Sequence, residues 1–136
     1  MLKIVIDASI VIDWFTSEEN VQSEEILRQI KKGKTEAFAP SFILVEVLNI
    51  LLKKKGIPEN IASKVLDELR KIGINFKSFL ITDTPSLKEV CYKYNITSYD
   101  GLYIYLAKRQ KCKLLTADKE LLKIKNLTIG LNNFVF

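Results

Sequence analysis

The sequence predicts an α/β protein in which parallel strands alternate with helices that cover both faces of the sheet. Three observations carry that expectation. A β-branched run, Leu2-Lys3-Ile4-Val5-Ile6, opens the chain and stops at Asp7, as a buried strand would. Shorter apolar runs recur along the chain, and the stretches between them repeat their apolar residues at intervals of three and four. The 136 residues hold no internal repeat, low-complexity tract or linker, so one domain is expected across 1–136.

Taken in order, apolar residues continue at helical spacing from Ala8 to Phe15 after the first strand. A polar helix with Ile26, Leu27 and Ile30 turned inward follows and closes at Lys32-Gly33-Lys34. Ala37-Phe38-Ala39 reads as a short strand stopped by Pro40, and Ser41 can cap the next helix. In that helix Phe42, Val45, Leu48, Asn49 and Leu52 share the expected inward face, and Gly56 ends it. Pro58 opens a helix carrying Ile61, Val65, Leu66 and Leu69 to about Ile72. A strand is expected at Phe79-Leu80-Ile81, then helices over 85–94, capped by Asp83 or Thr84, and from Ser98 to about Arg109. Lys113 to Thr116 reads as a strand, Lys119 to Ile124 as a short helix, and Leu127-Thr128-Ile129 as the last strand.

Composition removes whole classes of chemistry. The chain has no histidine, which excludes imidazole acid–base catalysis, Ser-His-Asp and Cys-His nucleophiles and imidazole-bound zinc. Two cysteines, Cys91 and Cys112, cannot build an all-thiolate zinc site or a disulfide framework; free thiols are expected. With 48% apolar and 27% charged residues, the chain belongs with soluble globular proteins. Met1 to Phe15 is apolar enough to mimic a signal sequence, but Asp7 and Asp13 interrupt it and no small-residue cleavage site follows. Phe38 to Leu52 contains Glu46 and is too short to span a bilayer. A cytoplasmic protein without membrane contact is expected. The formal charge of +5 rests on lysine far more than arginine, which suits diffuse attraction to a phosphate backbone better than bidentate reading of bases.

Four acids stand out. Asp7 follows the first strand and Asp118 the fourth, so both lie at the carboxyl edge of a parallel sheet, where sites in such folds gather. Glu46 and Asp100 lie in early turns of helices that can reach the same edge. Asp7 and Asp118 can also serve as helix caps, and Asp100 can complement a helix dipole. Glu46, embedded in Phe42-Ile43-Leu44-Val45-Glu46-Val47-Leu48, is costly to bury unless it is paired or metal-bound. Two carboxylates ~6 Å apart at an effective dielectric of about 20 repel by roughly 2–3 kcal/mol, so four that meet require protons or cations. Oxygen donors alone specify a hard cation, Mg2+ or Mn2+, with one or two ions offsetting the charge. Setting these four aside leaves 21 basic residues against 12 acidic ones, a balance of +9 that suits a phosphodiester substrate. Lys53, Lys54, Lys55, Lys108 and Arg109 are candidate phosphate contacts.

Val5-Ile6-Asp7-Ala8-Ser9, Pro40 followed by Glu46-Val47-Leu48-Asn49, Ser98-Tyr99-Asp100-Gly101 with Tyr103 and Ala107, and Leu115-Thr116-Ala117-Asp118 together resemble the motifs of PIN-domain ribonucleases. The likeness runs over essentially the whole chain and is nearest to the VapC-type toxins of toxin–antitoxin pairs. It implies a doubly wound α/β fold with a five-stranded parallel sheet and an Mg2+- or Mn2+-dependent endoribonuclease. Asp7, Glu46, Asp100 and Asp118 occupy the family's acidic positions and would bind the metal and position the attacking water. Ser9 and Thr116 match assisting hydroxyls, or cap a helix and a turn. Asn49 would orient Glu46 or fill a packing position, and Glu120 would add an outer acid or face elsewhere. Gly101 stands where alanine is usual, with a looser helix start as the expected consequence. The resemblance further implies an RNA substrate, a VapB-like antitoxin and a homodimer. Hydrolysis would leave 5′-phosphate and 3′-hydroxyl ends. A receiver-like module wants an acidic pair after the first strand, and a haloacid-dehalogenase-like phosphatase wants an aspartate where Ser9 stands. A catalytically silent PIN-like scaffold binding RNA or protein is the remaining rival.

Overall fold

The structure is a computed structural model that describes residues 1–16, 21–53 and 56–134. Five strands, β1 (Leu2–Ile6), β2 (Thr35–Pro40), β3 (Asn75–Lys77), β4 (Lys113–Leu115) and β5 (Thr128–Ile129), pair in the order β3-β2-β1-β4-β5. Every pairing is parallel, with Leu2 opposite Thr35 and Ile4 opposite Lys113. The helices are α1 (Ala8–Thr16), α2 (Val21–Lys31), α3 (Ile43–Lys53), α4 (Glu59–Lys71), α5 (Thr84–Tyr94) and α6 (Ser98–Gln110). This is the expected doubly wound arrangement.

Its topology follows from burial. Ile4, Val5 and Ile6 are all sealed from solvent, on both faces of the central strand, as consecutive residues of a parallel strand must be. From β1 the chain winds outward through β2 and β3, then returns past β1 to β4. Right-handed crossovers therefore place α5 and α6 on the opposite face from α1 to α4. The switch point lies between β1 and β4, and their carboxyl ends open the crevice there.

Several local expectations change. The third strand is Asn75–Lys77 rather than Phe79-Leu80-Ile81. Gly73, at φ +100°, turns the chain sharply out of α4, so the strand forms where that turn delivers it, with Asn75 opposite Phe38. Phe79, Leu80 and Ile81 are exposed instead, and Ile81–Asp83 forms a single 3-10 turn. Pro40 ends β2 from inside the strand, paired with Lys77, because an end position needs no donor from proline. The expected helix after Asp118 shrinks to a 3-10 turn over Leu121–Lys123.

Helix α3 begins at Ile43 and buries Ile43, Val47 and Leu51, not the predicted Val45, Leu48 and Leu52. Apolar residues lie on both sides of this helix, so spacing alone did not distinguish the face turned to the core. Asp83 caps α5 with no side-chain hydrogen bond. Its carboxylate instead accepts from the Leu80 N–H (2.8 Å), the Tyr105 hydroxyl (2.6 Å) and Arg109 (3.0 Å), tying the 3-10 turn to α6. Cys91 and Cys112 are free thiols. Among the described residues no helix is long and apolar enough to cross a membrane.

Gly101 does more than loosen a helix start. A Cβ added there would lie 2.6 Å from Cys91 Sγ and 3.2 Å from Leu87 Cδ1, so the missing side chain is what lets α5 approach α6. Gly101→Ala is expected to lower stability by about 1–3 kcal/mol through overpacking, although alanine is the better helix former. In a Cys91→Ala background the same change should cost little or become stabilising. Urea denaturation of the parent and the three variants tests this, and equal penalties in both backgrounds would remove the packing explanation.

Candidate active site

The crevice between β1 and β4 is built around Asp7, which is 6% exposed at the head of α1. Its Oδ1 accepts the backbone N–H groups of Ser9 (3.1 Å) and Ile10 (3.3 Å), the capping role open to it from sequence, and also the Ser9 hydroxyl. Its Oδ2 accepts the hydroxyl of Thr116, just beyond β4. Both hydroxyls act in two directions. Ser9 Oγ accepts from the Ala117 N–H (3.2 Å) and Thr116 Oγ1 from the Asp118 N–H (3.0 Å), so the carboxylate and two hydroxyls stitch the two strand ends together. Burial still dominates and raises the proton affinity of Asp7 against the pull of these donors.

The other three acids are linked to this knot through their charges. Asp118 is exposed and caps the following turn through Oδ1, accepting from the N–H groups of Glu120 (2.9 Å) and Leu121 (3.4 Å). Asp100 is half-buried in the first turn of α6, above a Thr97 side-chain cap. Its carboxylate accepts no hydrogen bond among the described residues, and burial, then the charge of Asp118, raises its pKa. Glu46, in the first turn of α3, is half-buried, and burial is the main cause of its raised pKa. A hydrogen bond from Tyr103 opposes that rise, and the charges of Asp100 and Asp7 add to it. The mutual influence runs from Asp7 through Glu46 and Asp100 to Asp118, so all four sequence-predicted acids belong to one electrostatic neighbourhood. Among the described residues no three acidic or cysteine side chains stand close enough to cage an ion as they are.

The donor set nevertheless fits a hard divalent cation. It is made only of carboxylate and hydroxyl oxygen, three of its acids hold protons more tightly than usual, and no lysine or arginine is paired with any of them among the described residues. Sequence reading missed one member. Tyr103, 2% exposed in α6, donates its hydroxyl to Glu46 Oε1 at 2.6 Å, whereas Asn49 is exposed and makes no such bond among the described residues. Tyr103 stood in the motif that carries the PIN-domain resemblance, three residues after Asp100 on the same side of a helix, but no site role was assigned to it. Glu120 faces away, paired with Lys123. Arg109 is engaged by Asp83, and nine residues of α6 put it about 14 Å from Asp100. Lys54 and Lys55 lie outside the described residues.

Fold and site define a doubly wound α/β protein with an acidic crevice at the switch point of its sheet. Residues 4–127 match the PIN domain, and the chain belongs to the PIN-domain family. It is 30% identical over 127 residues to Ribonuclease VapC3 of Pyrobaculum aerophilum, spanning 88% of this chain and 92% of that protein. Among solved structures it resembles VapBC2 of Rickettsia felis bound to a promoter DNA fragment, with a TM-score of 0.75 at 16% identity over 95% of this chain and 98% of that one. A toxin–antitoxin complex from Klebsiella pneumoniae gives a TM-score of 0.71 at 13% identity, over 96% and 99%.

The raised carboxyls make a pH prediction for the metal-free protein. A native carboxyl that holds its proton more tightly than the unfolded chain loses stability as pH rises above the ordinary carboxylate value near 4. Asp7→Asn removes that contribution. In EDTA the variant is expected to melt above the parent at neutral pH, with a shallower decline from about pH 4 upward. Parallel slopes for the two proteins would contradict the burial argument.

Proposed function

We propose that this chain is a divalent-cation-dependent endoribonuclease and the toxin of a VapBC-type pair. The observation that carries the reading is the mutual charge influence linking Asp7, Glu46, Asp100 and Asp118, acids from four distant segments of a PIN-domain chain. The likeness to Ribonuclease VapC3 supports the activity, and the likeness to toxin–antitoxin complexes supports an antitoxin partner. An exposed apolar face of α3 beside Glu46, formed by Val45, Leu48 and Leu52 with Tyr99, supports a protein surface seated next to the acids, from an antitoxin or a second copy in a homodimer.

Asp7, Glu46, Asp100 and Asp118 would hold one or two Mg2+ or Mn2+ ions. When bound, such a cation supplies Lewis acidity to the phosphate oxygens and the leaving 3′-oxygen. The chain does the rest. Asp7 keeps one fixed orientation because four donors hold its two oxygens. Asp100 and Asp118 keep oxygens without hydrogen bonds among the described residues, free to align the attacking water and accept its proton. The excess of basic residues elsewhere draws in the RNA backbone.

Asp7→Asn and Asp100→Asn are each expected to lower cleavage of single-stranded RNA by about 10²–10⁴-fold while the fold persists. EDTA should abolish cleavage and Mn2+ restore it. Product analysis should find 5′-phosphate and 3′-hydroxyl ends; 2′,3′-cyclic phosphate would rule out this chemistry. Mn2+ should also raise the melting temperature of the parent, by binding the native state alone, far more than that of Asp7→Asn.

A further inference from the structure

We propose that Tyr103 is a positioning residue for the acidic site, holding the Glu46 carboxylate turned toward Asp7 and Asp100 through its 2.6 Å hydrogen bond. The inference rests on the functional reading above, because it assigns a task inside that site. A glutamate side chain has three rotatable torsions and, beside two other carboxylates, every electrostatic reason to swing outward to water. One donor restrains it. The donor is itself immobile: the Tyr103 ring is packed in the core at 2% exposure, so its hydroxyl cannot follow a departing carboxylate.

The placement of Tyr103 adds to the case. It stands three residues after Asp100, so both project from neighbouring turns of one side of α6. A single rigid helix thereby presents one acid directly and orients a second that belongs to α3. Glu46 Oε1 is taken by the tyrosine, while Oε2 has no hydrogen bond among the described residues and remains available to a cation. This is the arrangement of an outer partner that orders a ligand without touching the metal.

The test uses the full chain and Mn2+ itself as probe. Isothermal titration should give Tyr103→Phe a Mn2+ dissociation constant about 10-fold or more weaker than the parent's, with kcat on RNA reduced to a similar extent and KM within about twofold. In a Glu46→Gln background, Tyr103→Phe should change Mn2+ affinity no further, because the carboxylate it positions is gone. A purely structural tyrosine would lower the metal-free melting temperature and leave the dissociation constant alone; that result overturns the proposal. So does an equal loss of affinity in both backgrounds. If Tyr103→Phe does not fold, Tyr103→Met, which also lacks the hydroxyl, must show the same weakened Mn2+ binding. A parent chain that neither binds Mn2+ nor cleaves RNA overturns the functional reading, and the positioning role with it.

Discussion

The site is organised around a carboxylate kept dry where β1 ends. Asp7 sits at the one place in the sheet where neighbouring strands lead their chains to opposite faces, and it is almost sealed from solvent there. Removing a carboxylate from water is costly unless its oxygens are satisfied. Two backbone amides at the head of α1 and two hydroxyls satisfy them. Those hydroxyls then accept the amides of Ala117 and Asp118, so one buried charge also aligns the exit of β4. A domain concerned only with stability would place an apolar residue at this junction. Retaining a carboxylate here, with the charges of Glu46, Asp100 and Asp118 linked to it, fits the proposed role of the site.

Helix α6 organises the rest of the crevice. Within a single turn it supplies Asp100 to the acids, Gly101 to the close contact with α5, and Tyr103 to Glu46 on α3. Its far end is clamped by Asp83, which binds Tyr105 and Arg109 together. A helix fixed at both ends and buried along Tyr103, Ile104, Leu106 and Ala107 moves as part of the core. The positions of Asp100 and of Glu46 are therefore set by packing, which is far stiffer than a pair of solvated side chains.

Much of this was legible beforehand, and the failures share a cause. The first strand, the order of elements and the four acids follow from local signals: β-branched runs, helical spacing, and charged residues where apolar ones are expected. Face and register did not follow. Helix α3 is apolar nearly all round, so its pattern suits two inward faces; the one with Val47 and Leu51 is buried in the core, and the one with Val45, Leu48 and Leu52 is left exposed. The third strand was misplaced because an apolar run at Phe79 carries a stronger local signal than Asn75-Phe76-Lys77. The pairing of Asn75 with Phe38 decides the matter, and that pairing is a contact between segments far apart in the chain.

By itself the amino-acid sequence determined the class of fold, the residue types available for chemistry and the exclusion of imidazole and thiolate sites, because composition and periodicity are local properties. Only the tertiary structure decided which oxygens are held and by what. Thr116 reaches Asp7 across 109 positions of chain, Ala117 reaches Ser9 across 108 and Tyr103 reaches Glu46 across 57, through strand pairing and helix packing that no window of sequence contains. Hydrogen bonds require atoms within about 3 Å, and that precision exists only once the core has closed.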